Sequence, residues 1–478
     1  MHYYSDTPTF ATLADIKDKK VTIMGLGLNG GGEASVRFFS KYGAYITITD
    51  MKSKADLQKT IDSLEKDDSI DKSRITYHLG EHLIEDFENA DVVIKNPGVK
   101  YEGNKFLEKA KTIETDLSIF LHFTQAPIIA VTGSKGKSST VSAIHYGLQK
   151  AGLKTFLGGN ITVSPLTFLE ETTKETPVVL ELSSWQLSDL RGRKLLKPKI
   201  ALITKIVPDH QNWYGSMENY VADKKLIYAD QSETDFTLCD FSDNYGRTFA
   251  QETKATVWWY NLSENAPEQG VFIKNNQGYL HNTKELVQII DKLAVPGIHM
   301  RQNVTNAALV LYLYGIQAEK IPHLLQDFPG ISHRLEACHQ YSLQEKTITF
   351  YNDSAATVPE ATAAALLSFS GDSALICGGT DKELNFEPLQ KVIHTAKVIF
   401  LLEGTGTDKL LPFLKAQNIA FNGPYKNLSQ LLQSLKEQLL SSLVVDQVIF
   451  SPGATSFGMF KNEFDRGNTF KETVKNIF

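Results

Sequence analysis

Short apolar runs recur along the chain, each closing on a polar, glycine-containing turn and opening into a stretch with helical spacing. That alternation predicts parallel α/β layers, because a strand buried on both faces reads as one apolar run and needs a helix to return to the same edge. The first case is "KVTIMGLGLNGGGEASVRFFSKYGAYITITD", which predicts a strand at 20–24, a turn through Gly25, Gly27 and Gly30, a helix, and a strand at 45–49 ending on Asp50. The second opens with "APIIAVTGSKGKSST" and continues through strands at 178–182 and 200–204. Runs at 256–282 ("TVWWY", "GVFIK", "GYLHN") read as a small antiparallel patch with an Asn-Gln-Gly turn. A third group follows Pro329-Gly330, with strands in "TITFYND", "SALICGG", "KVIFLLEG" and "QVIFSPG". Boundaries near 117 and 330 follow, giving three α/β segments, 1–117, 118–330 and 331–478. Ligands of such open sheets collect outside the carboxyl ends of the strands, so the turns are where chemistry is sought.

Composition narrows the function classes. The 478 residues are 42% hydrophobic and 22% charged, an ordinary soluble balance, and long enough for several cores. A net charge of -6 argues against a broad nucleic-acid surface, and the basic runs at 52–54 and 191–199 read as solvated faces. Three cysteines without CxxC spacing suit a reducing compartment and argue against a cysteine metal site. No signal-peptide core opens the chain and no apolar run approaches the ~18 residues of a membrane span, so a cytoplasmic location is expected.

Several motifs carry candidate chemistry. Gly25-x-Gly27-x-x-Gly30 with Asp50 beyond it satisfies a dinucleotide fingerprint. The same turn also fits plain close packing, or a nucleotide-sugar diphosphate on a helix N-terminus, and the three readings stay open. "VTGSKGKSST" resembles a phosphate loop shortened by one glycine, since Val131 stands where G-x-x-x-x-G-K-[ST] begins. Between a strand and a helix, its Gly133, Ser134, Lys135 and Gly136 would cradle phosphates. Lys137 would reach the terminal ones, and Ser138 or Ser139 would meet Mg²⁺. Glu181 ends the apolar strand of "VVLELSSWQL", and His210 ends the next strand's loop. Met217, Tyr220, Val221, Lys224, Ile227 and Tyr228 share one helical stripe. Lys224 then either snorkels to the surface or is buried with a lowered pKa and an available amine.

In their order along the chain, "TGSKGKSS", "GGN", "ELSSWQL", "PDH", "GIHMRQN", "GISHRLE", "NDSAAT", "GGTDK" and "SPGATSFGMFKNEFDRG" resemble the Mur ligases, ATP-dependent enzymes that build the bacterial cell-wall peptide. The resemblance covers essentially the whole chain and is strongest to the D-glutamate-adding branch. It implies an α/β protein of three domains: Rossmann-like at 1–117, a central P-loop ATPase at 118–330 with a mostly parallel sheet, and Rossmann-like at 331–478. The implied reaction joins D-glutamate to UDP-N-acetylmuramoyl-L-alanine through an acyl phosphate, by a monomer that needs no nucleic acid or membrane. Carried over by motif, ATP is held by the loop through Ser139 and by Asn303, Arg334 and Asp353. Two Mg²⁺ ions are held by Ser138, Ser139, Glu181, His210 and a carbamylated Lys224. The uridine-nucleotide substrate meets Gly25, Gly27, Leu28, Asn29, Asp50, Gly98, Asn160 and His210, which removes the NAD reading. The amino acid faces Thr357, Lys382 and Ser456. The chain departs from the family at Asn212, Met300, Ala355 and Glu463-Phe464, departures that touch amino-acid specificity more than phosphate chemistry. A Mur-type ligase of other specificity, a folylpolyglutamate-synthase-like ligase and a non-catalytic nucleotide-sugar binder are the alternatives.

Overall fold

Lys20–Met24 forms β1, its last four residues buried, and the chain returns through the helix Gly31–Lys41 to β2 (Tyr45–Asp50). The computed structural model describes residues 1–27, 30–261, 269–283, 285–456 and 458–478, so the expected contacts Leu28 and Asn29 lie outside the described residues. β3 (Ile75–Leu79), β4 (Val92–Lys95) and β5 (Ile113–Glu114) complete a parallel sheet in the order β3-β2-β1-β4-β5. The packing glycine of this unit is not Gly30, which caps the helix at φ +83°, but Gly32. A Cβ there would stand 2.3 Å from the Leu26 carbonyl oxygen, so only glycine lets helix and turn approach this closely.

The second sheet contains β6 (Ile128–Thr132), β7 (Phe156–Gly159), β8 (Val178–Glu181), β9 (Ile200–Ile203), β10 (Phe236–Asp240), β11 (Thr256–Asn261), β12 (Gly270–Lys274), β13 (Gln277–Asn282) and β14 (Glu285–Ile290). Its order is β14-β13-β12-β11-β10-β9-β6-β8-β7. Every residue of β6, β8 and β9 is buried, as continuous apolar runs require, and each Ile, Val or Leu so buried contributes about 1.5–3 kcal/mol. The expected antiparallel patch at 256–282 is corrected. β11 pairs in parallel with both β10 and β12, and only β12 and β13 run antiparallel. The helix Asn244–Glu252 is the crossover that makes β11 parallel. The hairpin turn is Asn275-Asn276, at φ +49° and +62°, the positive values that a two-residue loop demands, while Gln277 and Gly278 already belong to β13.

These two sheets belong to one compact unit, Met1–Ile289 with Asn303–Ile321. The other unit, Ile290–Gln302 with Pro322–Phe478, holds β15 (Glu336–Leu343), β16 (Lys346–Asn352), β17 (Ser373–Gly378), β18 (Val398–Leu402), β19 (Asn422–Tyr425) and β20 (Gln447–Phe450), in the order β15-β16-β20-β17-β18-β19. Only β15 is antiparallel to its neighbour, and apolar clusters cover the sheet, one around Leu431, Leu435 and Phe470, another around Leu389, Ile393 and Leu410. The basic run at 191–199 is not a solvated face throughout. Arg191 and Arg193 are buried, paired with Asp223 and Glu114. All three cysteines are free.

Candidate active site

Four adjacent parallel strands, β9, β6, β8 and β7, end side by side, and the chemistry-bearing residues of the first unit follow those ends. The loop after β6 leads into the helix Lys137–Lys150, capped by Gly136 at φ +95°. That left-handed φ favours glycine, and a Cβ on Gly136 would lie 2.7 Å from the Asn303 side-chain oxygen, so Asn303 sits directly against the loop. The first amides of the helix have no acceptor within it and carry the positive end of its dipole, an anion site by construction. Ser138 and Ser139 are half-buried in that first turn. Ser134 instead ties the loop to the segment after β9. Its amide donates to the Lys205 carbonyl, and its hydroxyl meets the Val207 carbonyl and the Tyr220 hydroxyl. The Lys135 amide also donates to Lys205, and its exposed ammonium lies 3.7 Å from Asp209.

Two lysines converge on one carbonyl. The Lys137 ammonium donates to the oxygens of Gly133 (2.9 Å) and Ser134 (3.1 Å), and that of Lys224 to Gly133 (2.8 Å) and the Thr132 hydroxyl (3.4 Å). Lys224 does not snorkel. It is 2% exposed, on the helix Met217–Lys224 with Tyr220 and Val221 buried beside it. Burial, followed by the neighbouring Lys137 charge, brings its pKa down to about 7, leaving a large fraction of neutral amine at physiological pH. Burial also lowers Lys137, with Glu181 and Asp209 opposing. Glu181 is 2% exposed; one carboxylate oxygen accepts from the Asn160 amide at 2.8 Å and the other, Oε2, is buried without a hydrogen-bond partner. A buried, unpaired carboxylate oxygen calls for a cation. Among the described residues no group of three or more His, Cys, Asp or Glu could hold a metal ion. His210, exposed and at φ +50°, rests its ring on Trp185 at 4.9 Å between centroids.

Gly25, Gly98 and Asn160 line one cavity of about 350 Å³, shared with Lys95, Asn96, Asp116 and Trp185. Gly27 donates its amide to Asp50 at 3.1 Å, and Gly98 to the Asn96 side chain at 3.0 Å. The sequence reading missed Lys95 and Asn96. The signal was present, a lysine closing the apolar strand of "DVVIKNPG", and the logic that picked out Glu181 applies equally to it.

In the second unit the expected residues are scattered. Asp353 is buried, accepting from the Leu335 amide (3.1 Å) and the Ser451 hydroxyl (2.6 Å), and burial pushes its pKa up to about 7 against the opposing pull of Arg334. Arg334 is exposed. Ser456 lines a cavity of about 230 Å³ with Gly379, Phe460 and Arg466, whereas Thr357 and the exposed Lys382 are not among its lining residues. Arg466, also missed, is buried, and its guanidinium donates to Ser354 Oγ and to the Ser354 and Ala454 carbonyls.

Residues 131–312 match the Mur ligase middle domain, and residues 19–117 match the Mur ligase MurD-like, N-terminal domain. The chain is 39% identical to the UDP-N-acetylmuramoylalanine--D-glutamate ligase of Treponema pallidum (strain Nichols), over 97% of this chain and 98% of that protein. It is also 39% identical to the protein of the same name from Borreliella afzelii (strain PKo), over 97% and 99%. Among solved structures, UDP-N-acetylmuramate-alanine ligase MurC from Thermotoga maritima covers 96% of this chain and 99% of its own, with a TM-score of 0.56 at 17% identity, a likeness of fold.

Proposed function

The chain belongs to the Mur ligase family, and on that premise we propose that it is an ATP-dependent ligase joining D-glutamate to UDP-N-acetylmuramoyl-L-alanine in peptidoglycan precursor synthesis. The observation that carries this reading is the double role of Asn160. Its residue lines the 350 Å³ cavity, and its amide holds Glu181 at the edge of the lysine-bearing loop. A nucleotide substrate lying along the cavity would then present its carboxylate where the phosphates of ATP end.

In the reaction a carboxylate oxygen attacks the γ-phosphorus and ADP leaves. The glutamate amine then attacks the resulting acyl phosphate, loses a proton, and displaces phosphate as the amide forms. Lys137 leaves the Gly133 and Ser134 carbonyls for the β/γ-phosphate oxygens, trading neutral acceptors for anionic ones. It thereby offsets charge that develops in transfer, the main electrostatic demand on such sites. Two Mg²⁺ ions, when bound, would supply further neutralisation, held by the Ser138 and Ser139 hydroxyls, Glu181, His210 and Lys224. For that role Lys224 is carbamylated: its neutral amine attacks CO₂ and loses a proton, leaving an anionic carbamate where an ammonium would repel metal. Gly25, Gly27, Asp50 and Gly98 hold the uridine nucleotide, while Asn303, Arg334 and Asp353 are assigned to ATP and Thr357, Lys382 and Ser456 to the amino acid, on the family resemblance. The segments 1–117, 118–330 and 331–478 divide these roles in turn. We read the enzyme as a cytoplasmic monomer; among the described residues no helix is long and apolar enough to cross a membrane.

Phosphate release from ATP, measured with UDP-N-acetylmuramoyl-L-alanine across a panel of amino acids, tests the reading. Release that requires both the nucleotide and D-glutamate is expected. Release that ignores the nucleotide, or that follows another amino acid, contradicts it.

A further inference from the structure

Resting on that reading but not part of it, a second network bears on how the nucleotide cavity keeps its shape. Lys95 ends β4 and is only 2% exposed, an expensive place for an ammonium. It donates to the carbonyl oxygens of Asn96 (3.1 Å) and Val99 (2.8 Å), the two ends of the turn that carries Gly98 along the cavity wall. Its counter-ion is Asp189, whose Oδ2 lies 2.9 Å from the ammonium. Asp189 follows the short helix Ser184–Ser188, whose Trp185 and Gln186 line the same cavity from the second sheet.

The opening residues of the chain close this network. Tyr4 donates its hydroxyl to Asp189 at 3.2 Å and its amide to the Arg191 carbonyl at 2.9 Å, with the Arg193 guanidinium 4.3 Å over its ring. His2 stacks on Tyr101, at 3.7 Å between centroids, just beyond the Asn96–Val99 turn. Thr9 donates to Glu114, the partner of buried Arg193. The segment thus reaches residues behind both walls of the cavity, Tyr101 and Glu114 on the side of the first sheet and Asp189 and Arg191 on the side of the second, none of which lines the cavity itself.

We propose that residues 2–9 form a strap whose Tyr4 hydroxyl, acting through the Asp189–Lys95 pair, fixes the Asn96–Val99 turn, making Tyr4, Asp189 and Lys95 positioning residues for the uridine-nucleotide substrate. None of the three touches the reacting atoms. The strap holds Asp189, Asp189 holds the ammonium, and the ammonium holds both ends of the turn. Burial leaves Asp189 with a pKa of about 6 despite Lys95, so the pair depends on every contact that favours the carboxylate, and the Tyr4 hydroxyl is one.

Two full-length variants test this. Tyr4→Phe removes one hydroxyl, and the double variant Lys95→Met with Asp189→Asn removes the charge pair while leaving no orphan ion and keeping an acceptor for Tyr4. KM for UDP-N-acetylmuramoyl-L-alanine should rise about threefold in the first and about tenfold in the second, with kcat within about twofold and KM for ATP unchanged. Amide hydrogen exchange at Gly98 and Val99 should accelerate in both. Unchanged nucleotide KM together with unchanged exchange overturns the strap and leaves the proposed function standing. A wild-type enzyme inactive on this nucleotide, with exchange still faster in both variants, overturns the function and supports the strap.

Discussion

The carboxyl edge of the nine-stranded sheet and that of the six-stranded sheet are built on the same principle and hold their charges in opposite ways. On the first, Lys137, Lys224 and Glu181 are drawn together, two ammoniums sharing the Gly133 carbonyl and a carboxylate oxygen left without a partner. Such an arrangement is costly without a ligand, and on the proposed function phosphate and a cation would relieve it. On the second, Asp353 is satisfied by Leu335 and Ser451, Arg334 and Lys382 are exposed, and only Ser456 of the expected amino-acid contacts lines the cavity. On the proposed function, the difference teaches that phosphate chemistry would be preorganised on one unit and amino-acid recognition would be less complete on the other. The family departures at Ala355 and Glu463-Phe464 fall on that less complete side.

The sharpest way to break the contrast is Lys137→Ala. The charge that the proposed function sets against the β/γ-phosphates is lost, and kcat should fall by about a thousandfold. Steady-state phosphate release measures it, and near-normal turnover would deny that this edge is preorganised for phosphate. Next comes Lys224. Lys224→Ala should lose about a hundredfold, partly restored by acetate, and Lys224→Arg should stay inactive because a guanidinium forms no such carbamate. Activity in Lys224→Arg would return the residue to the role of a plain cation.

On the other unit the expected effect is on stability. Asp353 has a folded pKa of about 7, above its unfolded value of 3.8, so the folded chain binds the extra proton between those values. Stability therefore falls as pH rises from about 4 to about 7 and stays lower beyond it. Asp353→Asn should remove that slope, gaining up to about 4 kcal/mol at pH 8 and almost nothing near pH 4 by urea unfolding. A gain independent of pH would mean that burial does not burden this carboxylate. Gly27→Val should be milder, raising the uridine-nucleotide KM about tenfold with ATP affinity unchanged. Lys225→Ala should be the mildest. Its ammonium pairs with Glu252 at the surface, and activity should stay within about twofold of normal.

What could be read from the chain was what local spacing encodes. The strand, turn and helix around Gly25 and around Lys137 stand in one continuous stretch each, and the apolar stripe bearing Lys224 repeats within a few turns of helix. The errors came where a distant partner decides. Arg191 and Arg193 look like a solvated run until Asp223 and Glu114, far along the chain, meet them in the interior. β11 looks like part of a hairpin patch until the helix Asn244–Glu252 carries it back beside β10. Lys95 carries a local signal, since it closes an apolar strand, but its pairing with Asp189 and the Asp189 contact to Tyr4 do not, because no local pattern joins the three.

The central claim is that the loop at Lys137 and the cavity at Asn160 serve one step, attack of the substrate carboxylate on ATP. The direct measurement uses UDP-N-acetylmuramoyl-L-alanine carrying heavy oxygen in its terminal carboxylate. One labelled oxygen per turnover should appear in the released phosphate, because the carboxylate oxygen bonded to phosphorus leaves with it. Phosphate free of label, with the amide product still formed, would contradict the account.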